Sequence, residues 1–477
     1  MTQHDSYQSP LNSRYCSPEI LKLFSDDFKY QSWRKLWIAL AEAQAELGLP
    51  ISSEQISQLK NCSQQIDYTA VRQQEERTKH DVMAHLHAFG DQCPLAKGIL
   101  HLGATSAYVT DNGDLMQMRT ALQLLVGRLV GVIEHLAAFA QKHAEQACLG
   151  YTHLQPAQLT TVGKRAAIWT QDFLADLEEL GHRHETLRFL GCKGATGTQA
   201  SFVNLFSGDS TKAKKLDQLV AQKMGFTQLF TVTGQTYPRK QDATVLHSLA
   251  GLFASAHKFA TDVRLLASHR EWMEPLASGQ VGSSAMPYKR NPMLCERVCG
   301  LARYGLSLTQ NSDYTASLQW LERSLDDSSN RRLVLPQAFL VADAVLNLLT
   351  HISQGLTVNN LAIEAHIRRE LPFLATEQLL MAAARRGGNR QQLHELLRVH
   401  ARHASEAVDR GLPNPLLDLL ISDPDFPLET DDIEAATEIS ALTGRAAEQV
   451  EEFLAQEVDP QLALYRKYLT DPFRITI

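Results

Sequence analysis

From Leu115 to Phe139 the chain returns to an apolar residue every seven positions in two offset series. Leu115, Leu122, Leu129 and Leu136 form one, and Met118, Leu125, Val132 and Phe139 the other. Steps of three and four residues place one stripe along one face of a helix about four heptads long. Two more stripes follow the same rule: Ala166, Trp169, Phe173, Leu177 and Leu180, then Leu249, Leu252, Ala256, Phe259, Val263 and Leu266. Proline, which breaks helix interiors, is absent between Pro156 and Pro238 and between Pro292 and Pro336. Three such stripes cannot all be hidden within one slim hairpin. They predict a central bundle of long helices and pairing with other subunits.

Strand signals are sparse, limited to short runs such as Phe230 to Thr233, with no strand and helix alternation to suggest a parallel nucleotide-binding sheet. The expected fold class is therefore all-α. At about 150 residues per domain, 477 residues suggest three units. These are an N-terminal helical domain over 1–105, a central long-helix bundle over 106–358 and a C-terminal helical domain over 359–477.

A hydrophobic content of 44% with 21% charged residues is that of a folded chain. The net charge of -7 leaves no broad cationic field for nucleic acid or an anionic membrane, so an anionic ligand must be bound locally. The seven cysteines are odd in number and include no CxxC pair, which predicts reduced structural thiols. The first residues lack the apolar core of a signal peptide, and no run approaches the ~18 apolar residues of a membrane helix. A cytoplasmic location is expected.

Several motifs fail on spacing. GATGTQAS is not a dinucleotide loop, and Gly163-Lys164-Arg165 lacks the upstream glycine of a phosphate loop. His394 and His400 stand six apart, not the four of a zinc-binding helix face, and read as a solvated helix surface.

One long loop differs from these. Between the Leu266 stripe end and Cys295, Gly279, Gly282, Ser283, Ser284, Pro287 and Pro292 interrupt helical order across 273–295. Taken alone, a loop with serines and a lysine is a solvated connector. The string GSSAMPYKRNP at 282–292, however, closely resembles the signature of the fumarase/aspartase superfamily, GSSxMPxKxNP. That resemblance implies a three-domain, all-helical fold and a β-elimination that releases fumarate or a close relative, with no metal and no cofactor.

Lys289-Arg290-Asn291-Pro292 followed by Glu296-Arg297 resembles the adenylosuccinate lyase family within it. So do KHDVMAH from Lys79, LGATS from Leu102, YTHLQPAQLTTVGKR from Tyr151, TGQTYPRK from Thr233 and LDDSSNRR from Leu325. One departure is Lys79, where that family more often has arginine; a planar donor becomes a point charge.

The reaction needs a base for the carbon-bound proton, an acid for the leaving nitrogen and donors for charge on a carboxylate. By resemblance Ser283 is the base, with neighbouring Ser284 the alternative and a substrate contact. His153 is the acid, and Glu296 its carboxylate partner. Lys289 and Asn291 hold the carboxylate, and Thr105, Ser106 and Gln235 are further contacts. The phosphate falls to Arg14, Tyr15, Arg297, Arg323, Ser328 and Arg332, with Lys79, His80 and Asp81 also at the site. The resemblance further implies a homotetramer whose active sites each draw on three subunits, acting on adenylosuccinate to give AMP and on succinocarboxamide imidazole ribotide. The alternatives are another fumarate-releasing lyase, such as argininosuccinate lyase, and a non-catalytic helical scaffold of the same fold. The presence of both Ser283 and His153 speaks against the scaffold.

Overall fold

The computed structural model describes residues 5–276, 279, 285–286, 288–471 and 473. Ser283 and Ser284 lie outside the described residues.

The three stripes become the buried faces of three long helices, Ser106–Lys142, Val162–Thr186 and Lys240–Ser268. Every stripe residue is buried. Two more long helices, Met293–Ser317 and Asp326–Gly355, complete a closed ring. In it Ser106–Lys142 packs on Val162–Thr186, that helix on Lys240–Ser268, then Met293–Ser317, then Asp326–Gly355, and the last returns to the first. The 37-residue Ser106–Lys142 helix is about 55 Å long at 1.5 Å per residue, so the ring is an elongated barrel of helices with its core along the axis.

The most apolar windows of Ser106–Lys142 and Asp326–Gly355 have the length and composition to cross a membrane, but 61% and 78% of those windows is buried inside the bundle. They read as core helices. All seven cysteines are free and all but Cys62 are buried, as the sequence suggested.

Asp326–Gly355 continues as one helix through Pro336. Proline has no N–H to offer the carbonyl of Arg332 four residues back, so that helix turn is held by its packing rather than by a complete ladder.

The run from Phe230 to Thr233 forms no strand. Leu229 makes an isolated bridge to Phe189, and the chain then turns onto the backbone of Glu322. A Cβ on Gly234 would come within 2.5 Å of the Glu322 carbonyl oxygen, so only glycine permits that approach. Strands occur instead in a hairpin of Ala147–Thr152 with Gln155–Thr161, bulged at Gly150/Tyr151, and in a two-residue pairing of Trp272–Met273 with Thr357–Val358. The second pairing joins the chain just after Lys240–Ser268 to the chain just after Asp326–Gly355.

Past Asn360–Leu374, a separate small core gathers Leu379, Leu393, Leu397, Leu416, Leu420 and Phe426. Val450, Leu454, Val458 and Leu462 then rejoin the main core. There the Tyr465 ring lies so close to Gly181 that a Cβ would meet it at 2.3–2.5 Å. On the Arg390–Asp409 helix, His394 and Glu395 are exposed as expected, whereas His400 turns inward to Asp423, 2.6 Å away.

Candidate active site

At one end of the bundle several helices begin around a single cavity of about 890 Å³. Ser106–Lys142 presents Ser106, Thr110, Asp114 and Gln117 to it, and Asp326–Gly355 presents Asp327, Ser328, Arg331 and Arg332. Lys240–Ser268 contributes Arg239 at its cap position, with Gln235 just before it. The Asp81–Gln92 helix brings His80 and Asp81.

Capped and uncapped helix starts both occur in the chain, with Gln199, Pro292, Ala375, Pro415 and Arg445 among the uncapped. Elsewhere Ser17, Ser25, Ser52, Asp67, Thr161 and Asp209 accept hydrogen bonds from the first turn of the helix they precede. Thr105, Arg239 and Leu325, which precede the three bundle helices at the cavity, make no such bond. The first N–H groups of a helix carry partial positive charge. Uncapped starts at one cavity suit an anionic ligand.

His80 is held at its ring. Nδ1 accepts from the Met83 N–H at 3.5 Å, which leaves Nε2–H to face Ser106 Oγ, 3.3 Å away. Arg332 Nη2 donates to Asp81 Oδ2 at 2.6 Å, and the Val82 N–H donates to Asp81 Oδ1 at 2.8 Å. Burial works against the Asp81 carboxylate, but these donors outweigh it and hold the group below the ordinary carboxylate range. Lys79 lines the cavity at the end of the Tyr68–Thr78 helix with φ +55, a left-handed geometry that ends the helix and frees His80 to cap the next one.

Gln235 is fixed by its N–H to the Glu322 carbonyl, 2.9 Å, and by Nε2 to the Ala195 carbonyl, 3.3 Å. Arg323 donates Nη1 to both oxygens of Asp327 at 3.0 Å. Of the residues singled out in the sequence, the cavity thus gathers Lys79, His80, Asp81, Ser106, Gln235, Arg323, Ser328 and Arg332; Thr105 stands one residue outside it.

The rest sit elsewhere on the chain. Arg14 is exposed on the Leu11–Tyr15 turn, which is tied to Asp326–Gly355 through the Tyr15 carbonyl and Asn347 Nδ2, 3.3 Å. His153 occupies the hairpin turn with φ +53, next to Leu154 with φ +59. Both central turn positions are left-handed, a geometry that favours glycine or asparagine. Leu154 is 71% exposed there, a strained and solvated placement of the kind that collects at functional sites. His153 makes no side-chain hydrogen bond among the described residues. Lys289 and Glu296 are exposed, and Asn291 and Arg297 half-buried, where the signature loop enters Met293–Ser317. None of these residues lines the cavity.

Sequence reading missed the polar groups beneath these contacts. Lys29, Asp111, Asp114, Arg239 and Arg331 line the cavity, and Asp327 behind Arg323 is fully buried. At the loop stem, Glu274 accepts from the Leu294 and Cys295 N–H groups, both at 2.9 Å, capping Met293–Ser317 from a distance. Burial raises the Glu274 carboxyl above its ordinary range despite those two donors. The available signal was charge within the polar start of an otherwise apolar helix, as in VTDNGDL at 109–115.

An all-helical bundle is the fold that the resemblance to the fumarase/aspartase lyases implies. Residues 14–304 match the sequence family described as Lyase. A 3-carboxy-cis,cis-muconate lactonizing enzyme from Pseudomonas putida superposes with a TM-score of 0.82 at 23% identity, covering 96% of this chain and 99% of that one. A fumarate lyase from Mesorhizobium sp. BNC1 gives 0.81 at 22%, covering 94% and 100%. These likenesses establish the fold.

Residues 372–453 match the family described as Adenylosuccinate lyase C-terminus. Adenylosuccinate lyases of Schizosaccharomyces pombe and Saccharomyces cerevisiae are each 46% identical over 475 residues, 99% of this chain and 98% of theirs. One from Archaeoglobus fulgidus is 31% identical over 87% of this chain and 90% of its own. The chain belongs to the adenylosuccinate lyase family, and its reaction class is that of a carbon-nitrogen lyase.

Proposed function

We propose that this chain eliminates fumarate from adenylosuccinate, leaving AMP, and from succinocarboxamide imidazole ribotide, leaving the aminoimidazole carboxamide ribotide, in purine nucleotide synthesis. The observation that carries the reading is the convergence of Lys79, His80, Ser106, Gln235, Arg323, Ser328 and Arg332 on one cavity from four separate segments. Guanidinium groups, hydroxyls and uncapped helix starts together suit a phosphate, and the amide of Gln235 suits a carboxylate or base edge.

In this proposal Ser283 removes the proton from the succinyl carbon as an alkoxide stabilised by Lys289. His153 protonates the departing nitrogen. Glu296 holds the His153 tautomer, and Lys289, Asn291 and Ser284 bind the carboxylate whose charge grows in the transition state. Electrons from the broken C–H bond form the fumarate double bond as the C–N bond breaks, so the balance closes without redox chemistry, metal or cofactor. Thr105 and Asp81 complete the substrate pocket, and Arg14, Tyr15 and Arg297 complete the phosphate contacts.

Since His153, Lys289 and Glu296 lie away from the cavity within one chain, the proposal includes a homotetramer in which three subunits build each site. The three-domain division at 105/106 and 358/359 and a cytoplasmic location belong to the same reading.

The test is fumarate release by purified protein given adenylosuccinate, beside argininosuccinate, malate and aspartate. Selective release from adenylosuccinate is expected, with Ser283→Ala and His153→Ala each losing about 10²-fold or more. Release from another substrate would replace the substrate, and none from any would overturn the enzyme.

A further inference from the structure

Beneath the phosphate contacts lies a buried set of charges that the reaction chemistry does not use. Arg239, 3% exposed, is held on three sides. Its Nη1 and Nη2 donate to Asp111 Oδ2 and Oδ1 at 2.9 and 3.1 Å, and its Nε donates to Asp327 Oδ2 at 2.7 Å. Its guanidinium also stacks over the Tyr237 ring, 4.6 Å from the centroid. Asp111 Oδ2 takes the Tyr237 N–H as well, at 3.1 Å. Asp327 is shared, because Arg323 reaches both its oxygens at 3.0 Å.

A second cluster adjoins it. Arg331 pairs with Asp242 at 2.7 Å and with Asp114 at 2.9 Å, and donates to the Tyr237 hydroxyl, which in turn donates to Asp242 Oδ1 at 2.6 Å.

Charge arithmetic decides what Arg239 does. Within the first cluster Arg239 and Arg323 balance Asp111 and Asp327, while the adjoining cluster sets Arg331 against the two carboxylates Asp114 and Asp242. Without Arg239 the first cluster holds two carboxylates against one guanidinium. Arg323 would then be drawn fully onto Asp327, and a net negative charge would stand beneath an anion site where water cannot screen it well. Arg239 also joins three helix starts: its own, that of Ser106–Lys142 through Asp111, and that of Asp326–Gly355 through Asp327. Ser106, Gln235 and Ser328 each lie within five residues of one of these anchors.

We propose that Arg239, clamped by Asp111, is a positioning residue for the phosphate end of the ligand. It neutralises Asp327, so that Arg323 keeps a free cationic face and the three helix starts keep their spacing around a phosphomonoester. The identity of the whole substrate rests on the reading above; the phosphate preference does not.

The two are separable by experiment. Turnover of adenylosuccinate by the wild-type enzyme tests the substrate, while calorimetric binding of inorganic phosphate, with succinate as a dicarboxylate control, tests the buried charges directly. In full-length Arg239→Met, phosphate affinity is expected to fall about tenfold or more, with succinate affinity changed less than about threefold. Kinetically the loss should appear in KM rather than kcat, and Arg239→Lys should recover part of it by restoring the charge without the fork. Equal losses for phosphate and succinate, or a fall in kcat at unchanged KM, would overturn the proposal. Should Arg239→Met not fold, Arg239→Lys decides alone: phosphate and succinate affinities falling equally there refute it.

Discussion

Arg332 and Asp81, 251 positions apart in sequence, meet at 2.6 Å across the mouth of the cavity, tying the start of Asp326–Gly355 to the start of Asp81–Gln92. Arg332 has a side chain 54% exposed and Asp81 24%, so solvent screens the pair and its part in stability is small, about 0–1 kcal/mol. On the proposed reading, its part in function is orientation. Asp81→Asn keeps an acceptor for the Val82 N–H but frees Arg332, and KM for the nucleotide substrate should rise about tenfold while the melting temperature hardly moves. Because the Asp81 carboxyl is depressed in the folded state, what stability it adds is present above its unfolded value near 4 and is lost as pH falls through the lower folded value. Urea unfolding at pH 7 and at pH 3 should therefore show the gap between wild type and variant closing in acid.

A second prediction concerns the loop stem. Glu274 supplies the first turn of Met293–Ser317 with the acceptors its own cap residue, Pro292, cannot. Glu274→Ala leaves two N–H groups without that partner, at a cost of about 1–2 kcal/mol. Amide exchange at Leu294 and Cys295 should accelerate, and kcat should fall because Lys289, Asn291 and Glu296 sit directly on that stem. Unchanged exchange at both amides would show that the cap is not held in solution.

The bundle was legible because its determinants are local and repeated: each stripe residue from Leu115 to Phe139 is buried, and the same holds for the other two stripes. The cavity was legible only through resemblance. Arg323 and Arg332 look like any surface arginines in sequence, and what marks them is their partners Asp327 and Asp81, the second far away in the chain. The hairpin carrying His153 was missed as a strand pair because its turn uses His and Leu in left-handed geometry, where sequence rules look for glycine or asparagine. Phe230–Thr233 failed in the other direction. Its β-prone residues find no ladder, since Gly234 carries the chain onto Glu322 instead.

Asp176 offers a pH-dependent test outside the site. It lies in Val162–Thr186, buried, with one carboxylate oxygen lacking a hydrogen-bond partner among the described residues. Burial, aided by Asp172 and opposed by Ser255, raises its pKa to about 7. A carboxyl raised this way contributes stability that is complete below its unfolded value near 4 and is lost as pH rises through 7, on the order of 4 kcal/mol per chain. Asp176→Asn carries no such dependence. The variant's unfolding midpoint should gain on wild type between pH 4 and 7 and hold its advantage above 7. A gap that stays constant across that range would show that Asp176 titrates as an ordinary exposed carboxyl.

The division of site residues between the cavity and distant segments leads to a test of assembly. Within one chain the cavity holds Lys79, His80, Arg323, Ser328 and Arg332, while His153 stands on the hairpin turn, Lys289 before Met293–Ser317 and Glu296 in its first turn. If each working site takes His153 and the Ser283 loop from different subunits, two inactive variants can repair one another. His153→Ala and Ser283→Ala, each without turnover, should regain activity when mixed under conditions that exchange subunits. Random tetramers would place an intact His153 beside an intact Ser283 in about a quarter of sites. Were both groups drawn from the same chain, no mixture could contain an intact pair and activity would stay at zero. Recovery near a quarter, appearing only after exchange and lost again on dilution below the dissociation range, is the expected outcome.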